Sequence, residues 1–180
     1  MAQSVENVYA GAMLELCKEQ GSCDGAFEEL EQCGRILSEN GEFLSLLASP
    51  LIGAEEKKAA LEKTFGNSVS PLTLDFFCVV TEKGRARYLP AICGEFKRLY
   101  FKENNILEVT VTTARPLSGE LRDKLKAKLE KTLDKKIIMH ENTDKRLLGG
   151  IIVRYDNYEI DSSVQGRLEK LKLRIDSVIA

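Results

Sequence analysis

The spacing of apolar residues separates a helical first part of the chain from a mixed second part. In residues 1–105 apolar side chains recur at helical intervals, interrupted by stop signals such as Gly21. We predict that Asp24 caps the second helix and that Ser70, followed by Pro71, caps the fifth. The other predicted helices cover Glu42–Leu47 and Ala54–Phe65, with a first helix before Gly21 and a sixth from about Arg87. Packed together, six such helices predict an antiparallel bundle.

The fifth predicted helix is apolar on nearly every face, which is more than a small bundle easily covers. Most of this surface is expected in the core. Apolar surface that the core does not cover could form a groove for an amphipathic helix of a partner. We predict such a groove between the first and fifth helices, lined by Tyr9, Ala12, Met13, Phe76 and Val80.

The spacing of apolar residues changes from a helical period to strict alternation at Asn104–Asn105. Leu107, Val109 and Val111 then alternate with polar residues, as in a half-buried strand. Further strands are predicted at Lys136–Glu141, Ile151–Val153 and Tyr158–Asp161, and a helix after Ser118 carries leucines at positions 121, 125, 129 and 133. The predicted fold class is α+β: a bundle over residues 1–105 and a smaller α+β domain with a short sheet over residues 106–180.

The end of the chain predicts a hairpin that leads into an amphipathic helix. Asp156-Asn157 is a turn signal between two short strands. Ser162 and Gln165 form a predicted capping box. The helix that follows carries an apolar stripe of Val164, Leu168, Leu171, Ile175 and Val178. This arrangement favours docking over catalysis.

Composition and charge are those of an ordinary globular protein. Of 180 residues, 43% are hydrophobic and 30% are charged. No apolar run approaches the ~20 residues that span a bilayer, and the first residues do not resemble a secretory signal. Net charge is −5 over residues 1–105 and +3 over residues 106–180, which suggests two units with different partners. Neither part has the basic excess expected of a nucleic-acid-binding protein.

Candidate chemical groups are few. The five cysteines show no C-x-x-C spacing and lie far from the single histidine, His140, so we predict reduced thiols and no metal site. Gly149-Gly150 precedes a strand and lacks the residues of a phosphate loop. The acidic side chains of Glu28, Glu29 and Glu31 are expected on a solvated helix face. The residues therefore predict no cofactor and no catalytic site.

A basic series lies opposite the leucine stripe of the predicted helix after Ser118. It comprises Arg122, Lys124, Lys126, Lys128, Lys131, Lys135 and Lys136. A solvated helix face is the expected interpretation, and an electrostatic docking or membrane-proximal surface is the main alternative. RNA binding is least favoured, because no aromatic residues lie among the charges. The residues alone favour a non-enzymatic two-domain adaptor. A generic scaffold or assembly factor and an unrecognised enzyme remain as alternatives.

The last quarter of the chain also carries a family resemblance. An aliphatic residue and Gly149-Gly150 precede a β-branched strand that ends in Arg154, and the later positions Asp161, Ser163, Val164, Gly166, Arg167 and Leu168 complete the pattern. It resembles the C-terminal signature of delta subunits of bacterial rotary ATP synthases, relatives of the mitochondrial oligomycin-sensitivity-conferring protein. Ser162 stands where that family often has Gly, which suggests a better helix cap.

Shorter motifs extend the resemblance, in order, over essentially the whole chain. They are Val8-Tyr9-Ala10-x-Ala12, Leu47-x-x-Pro50, Lys83-Gly84-Arg85 and the run from Val109 to Ser118. The resemblance implies a non-catalytic connector at the top of the peripheral stalk of a proton-translocating F-type ATP synthase. Its N-terminal domain would bind the N-terminal helix of an alpha subunit, and its C-terminal part would bind the C-terminal end of the b subunits. Association with the cytoplasmic face of the bacterial cell membrane would be indirect, through the complex.

Overall fold

The computed structural model describes residues 4–179, and side chains from residue 4 to residue 172. The chain divides into two compact units, Met1–Glu103 and Asn104–Ala180. Within the described residues there are eight α-helices and one four-stranded sheet, so the α+β fold class is confirmed.

The first unit is helical. Its elements are α1 (Val5–Gln20), α2 (Cys23–Glu39), α3 (Gly41–Ala48), α4 (Ala54–Phe65), α5 (Pro71–Glu82), a 3-10 turn (Ala86–Tyr88) and α6 (Leu89–Glu103). Both α1 and α2 pack chiefly against α6, and α4 packs against α5. The largest fully buried side chains include Phe65, Phe77 and Phe96. Burial of these aromatic rings contributes to the stability of this unit.

Several helix ends lie where the sequence places them. The α4 helix has its predicted bounds, and the Ser70 side chain accepts a hydrogen bond from the backbone N–H of Thr73. One predicted cap is wrong, and α6 begins two residues after its approximate predicted start. The α2 helix begins at Cys23, so Asp24 lies inside its first turn and instead accepts a hydrogen bond of 2.6 Å from Tyr100 Oη. The α6 helix begins at Leu89 because the residues just before it form the 3-10 turn.

The acidic face predicted on α2 is only partly solvated. Glu29 accepts hydrogen bonds from the backbone N–H and the hydroxyl of Ser70, at 2.9 and 2.8 Å. Glu31 pairs with Lys97 at 2.9 Å. A carboxylate at a helix N-terminus is favoured by the helix dipole. The prediction is therefore wrong for Glu29 and Glu31, whose side chains connect α2 to α5 and α6, whereas Glu28 is exposed.

The second unit combines a sheet with two helices. Its elements are β1 (Ile106–Thr113), α7 (Gly119–Leu133), β2 (Lys136–Thr143), β3 (Ile151–Tyr155), β4 (Tyr158–Asp161) and α8 (Val164–Ile179). The strand order is β2-β1-β3-β4, with β1 parallel to β2 and antiparallel to β3. Parallel neighbours need a crossover connection, and α7 provides it.

The core of this unit lies between the sheet and α7. Its buried members are Leu107, Val109, Val111, Ile137 and Val153. Three of the four leucines predicted on α7 pack against this cluster, whereas Leu121 stays 56% exposed. The alternation predicted for β1 is therefore confirmed from Leu107 to Val111, whereas Thr112, predicted on the polar face, is also buried.

Candidate partner-binding surfaces

The first candidate surface lies between α1 and α5. The rings of Tyr9 and Phe76 meet edge to face, with 6.5 Å between their centroids. Gln20, the last residue of α1, and Pro71, the first of α5, line one cavity. The two helices therefore run antiparallel, and their neighbouring faces bring Tyr9, Ala12 and Phe76 to the same side of the unit.

Three of the five predicted groove residues are buried, and two of these lie too deep to line a groove. Met13 and Val80 are fully buried, and Phe76 is 9% exposed. Helical spacing identified the apolar side of α1 and α5 but not the depth of each residue, because residues three or four apart share a face. Met13 and Val80 belong to the core beneath the surface, while Ala12 is exposed and Tyr9 is half-buried.

Exposed apolar residues beside the predicted ones complete this surface. Val8 and Leu16 are 48% and 42% exposed, one turn before and one turn after Ala12 on α1. Val79 on α5, three residues after Phe76, is 48% exposed. The i, i+4 spacing around Ala12 is the signal in the sequence that identifies the two α1 residues. We call Val8, Tyr9, Ala12, Leu16, Phe76 and Val79 the α1–α5 surface.

One end of the α1–α5 surface carries a cation. Gly84, which follows α5, has φ of +69°, and the backbone N–H of Arg85 donates to Val80 O at 3.0 Å. Arg85 Nη1 donates to Tyr9 Oη at 3.0 Å, and its guanidinium carbon lies 5.2 Å from the centre of the Tyr9 ring. The motif Lys83-Gly84-Arg85 thus directs an exposed guanidinium onto α1.

The glycine pair of the C-terminal signature is a site of close backbone packing. Gly150 has φ of +86°, and a Cβ atom on it would lie 2.5 Å from Ser162 O. The backbone N–H of Ser162 donates to Ile151 O at 2.9 Å, and that of Val164 donates to Gly149 O at 3.0 Å. Gly150 thus combines a close backbone approach with a positive φ.

The start of α8 is capped by Ser163 and not by Ser162 as predicted. Ser163 Oγ accepts from the backbone N–H of Gly166 at 3.0 Å, and Asp161 Oδ1 accepts from the backbone N–H of Ser163 at 2.7 Å. Hydrogen bonds from the side chain and then the backbone of Ser163 lower the pKa of Asp161. The helix begins at Val164, one residue later than expected, so Ser163 occupies the capping position. The backbone N–H of Ser162 donates to Ile151 O and is not available to the Gln165 side chain, so the predicted capping box does not form.

The second candidate surface is the apolar stripe of α8. Val164, Leu168 and Leu171 are 43%, 56% and 54% exposed. The stripe residues Ile175 and Val178 fall outside the described side chains. Arg167, from the signature, is also exposed and lies on the same helix. An amphipathic helix with an uncovered apolar stripe is typical of a docking surface.

The described residues offer little for chemistry. Among residues 4–172, no three His, Cys, Asp or Glu side chains cluster as metal ligands would. Burial raises the pKa of the Cys33 thiol to about 11 and that of Cys93 to about 12, away from the reactive range. His140 Nε2 lies 3.2 Å from Glu108 Oε1, between neighbouring strands of the sheet. On α7, Arg122 pairs with Glu141 of β2.

No helix in the described part of the chain combines the length and the apolar character needed to cross a membrane.

Comparisons with known proteins assign the chain to a family. The family described as "ATP synthase delta (OSCP) subunit" matches residues 5–175. ATP synthase subunit delta of Clostridioides difficile (strain 630) is 34% identical over 100% of both chains, and that of Carboxydothermus hydrogenoformans is 34% identical over 96% of this chain and 97% of its own. A chain of the Toxoplasma gondii mitochondrial ATP synthase hexamer shares the fold, with a TM-score of 0.68 at 22% identity, over 96% of this chain and 98% of that one. The resemblance inferred from the sequence is confirmed, and the chain belongs to the ATP synthase delta (OSCP) subunit family.

Proposed function

We propose that this chain joins the catalytic head of an F-type ATP synthase to its peripheral stalk. In this assignment the first unit binds the N-terminal helix of an alpha subunit and the second unit binds the C-terminal region of the b subunits. Family membership over residues 5–175 is the observation that carries the stator role. A generic scaffold is less favoured, because two curated delta subunits align with nearly the whole chain.

The α1–α5 surface supports binding of an amphipathic helix. Its apolar residues recur at one-turn intervals on two antiparallel helices, so a third helix can lay its own i, i+4 side chains between them. Val8, Leu16 and Val79 are exposed apolar side chains that would leave water on binding. Removing such surface from water is the main favourable term in helix-in-groove recognition.

The α8 stripe supports binding of the b subunits. Over residues 164–172 the helix has three basic residues and one acidic residue beside its apolar stripe. A partner segment with apolar side chains flanked by carboxylates would complement both features. The two surfaces lie on different compact units of the chain, so each unit can bind its own partner.

The proposed role is mechanical and needs no reaction on this chain. Rotation of the central shaft exerts torque on the head, and a connector transmits the opposing force to the stalk. Both contacts must outlast many turnovers, which requires slow dissociation. We therefore assign no catalytic residue, cofactor, metal or nucleic acid, and we place the chain at the cytoplasmic face of the bacterial membrane through its partners alone.

Titration calorimetry with a synthetic alpha N-terminal peptide tests the first contact. Ala12→Asp would put a charge into the desolvated surface and should weaken binding more than tenfold. Ala59→Asp is the matched control, since Ala59 is exposed on α4, a helix outside the α1–α5 surface. Unchanged affinity in a folded Ala12→Asp protein would show that alpha binds elsewhere.

A peptide from the C-terminal region of the b subunit tests the second contact. Leu168→Asp interrupts the α8 stripe and should abolish measurable binding, whereas Gln165→Asp adds the same charge on the same helix away from the stripe. Equal binding by both variants would exclude this stripe as the b contact.

A further inference from the structure

We propose that Arg85 is a carboxylate-binding residue at one end of the α1–α5 surface, and that the bound partner helix places an acidic side chain against it. The inference rests on the proposed function of that surface and adds the chemistry of its partner. It makes Arg85 a specificity residue, which fixes how the helix lies.

The backbone after α5 fixes the position of this arginine. Gly84 has φ of +69° and donates from its N–H to Thr81 O at 2.9 Å, while the N–H of Arg85 reaches back to Val80 O at 3.0 Å. This pair of bonds is the Schellman arrangement, which ends a helix and reverses the chain. From this fixed backbone position the Arg85 side chain reaches Tyr9 on α1.

Tyr9 then holds the guanidinium in place without neutralising it. The phenol oxygen accepts one hydrogen bond at 3.0 Å, and the ring provides a cation–π contact at 5.2 Å. Among residues 4–172, none of the ion pairs involves Arg85. A guanidinium has five N–H donors, so most of them stay available to a carboxylate. An ordered cation loses less conformational entropy on binding than a mobile one.

The opposite end of the surface carries the opposite charge. Asp75 is exposed on α5 and lines the cavity that also contacts Gln20, at the far end of α1 from Tyr9. A helix laid along the surface meets a guanidinium at one end and a carboxylate at the other. Charge complementarity then favours one direction of the partner helix and penalises the reverse. The expected partner has an acidic residue at the Arg85 end and a basic residue at the Asp75 end.

The test uses the full-length chain and the alpha N-terminal peptide, titrated at low and at high salt. Arg85→Gln should bind at least tenfold more weakly at low salt, since a hydrogen-bonded ion pair is lost. Its affinity should depend less on salt than that of the unmodified protein. Arg87→Gln, two residues away and also exposed, is the matched control and should bind normally. Arg85→Lys, which keeps the charge but not the fork of donors, should be intermediate.

Changing each peptide carboxylate to its amide completes a double-mutant cycle. One carboxylate should lose its effect in the Arg85→Gln background, and the others should not. An equal loss of peptide affinity in Arg85→Gln and Arg87→Gln would show that the arginines act only through non-specific electrostatic attraction, and would overturn the inference. Normal binding by Arg85→Gln together with lost binding by Ala12→Asp would also overturn it, while leaving the surface itself correct. Normal binding by both variants would instead refute the proposed alpha contact.

Discussion

Gly166 and Asp161 are packed so closely that a Cβ atom on Gly166 would lie 2.3 Å from Asp161 Oδ2. The same carboxylate accepts the backbone N–H of Ser163 at 2.7 Å, so it is not free to move away. The helix start, the end of β4 and the glycine pair before β3 are thereby joined in a single packed junction. This explains why small and polar residues occur together in the C-terminal signature.

Gly166→Ala should lower the free energy of unfolding of the second unit by about 1–2 kcal/mol, although alanine has the better helix propensity. The added methyl group has to displace Asp161 from Ser163. Hydrogen exchange at the β3 and β4 amides, combined with urea unfolding, measures the effect. Gly119→Ala is the control, because nothing lies within 4 Å of a Cβ there. A Gly166→Ala protein as stable as this control would mean that the carboxylate adapts without cost.

Acid should weaken the same junction. Ser163 lowers the pKa of Asp161 below its ordinary value of 3.8 in the folded chain. The stabilisation from this lowered pKa is therefore fully present above pH 3.8 and is lost as pH falls through the folded-state value. The difference in unfolding free energy between the unmodified chain and Asp161→Asn should be constant near neutral pH and shrink below pH 3.8. A difference that did not change with pH would show that Asp161 contributes through its shape alone.

The buried cysteines should react slowly with thiol reagents. Burial raises the pKa of Cys17 to about 11 and of Cys93 to about 12, so almost no thiolate is present at pH 8. Cys23 is only half-buried. Mass spectrometry after brief alkylation should find Cys23 labelled first and Cys93 labelled only on unfolding. Early labelling of Cys93 in the native chain would contradict its burial.

Local signals in the sequence were sufficient for most of the elements. Proline after Ser70 determined the start of α5, and the turn at Asp156-Asn157 determined the hairpin, because each depends on residues adjacent in the chain. The sequence predicts Ser162 as the cap of α8, one residue before the observed cap, Ser163. Two successive serines offer the same hydroxyl, and only the long-range bond of Ser162 to Ile151 decides between them.

The sequence pattern does not predict how deeply each apolar side chain is buried, or which distant residues form hydrogen bonds with each other. Periodicity located the apolar side of α1 and α5 but assigned Met13 and Val80 to the groove, whereas the neighbouring helices bury both. Likewise, the sequence pattern places Glu29 on a helix exterior, yet in the structure it accepts hydrogen bonds from Ser70, the residue that caps α5. The hydrogen bond between Glu29 and Ser70 joins residues 41 positions apart, and no rule based on neighbouring residues predicts it.

Residues 1–105 should fold alone as a cooperative helical domain. The core around Phe65, Phe77 and Phe96 is made entirely by residues of this segment. Circular dichroism of the fragment should show a helical spectrum and a single melting transition. Little helix, or a melt without cooperativity, would mean that the first unit depends on the second for its stability.

Gly150→Asp should uncouple the proposed connector while leaving its first unit intact. Position 150 requires φ of +86°, and a Cβ atom there would lie 2.5 Å from Ser162 O and 2.7 Å from Ser163 Cα. Strain and backbone overlap should cost about 2–4 kcal/mol, enough to disrupt the junction that supports α8. Reconstituted membranes should then show impaired proton pumping, because b is released while alpha is still bound.

Sedimentation of the catalytic head with the membranes separates this outcome from simple loss of the protein. The unmodified chain should keep the head on the membrane, and Gly150→Asp should release it together with the bound connector. Gly119→Asp introduces the same side chain into open space in the same unit and should behave like the unmodified chain. Normal pumping and an attached head with Gly150→Asp would show that the glycine pair tolerates a side chain, contrary to the close backbone contact with Ser162.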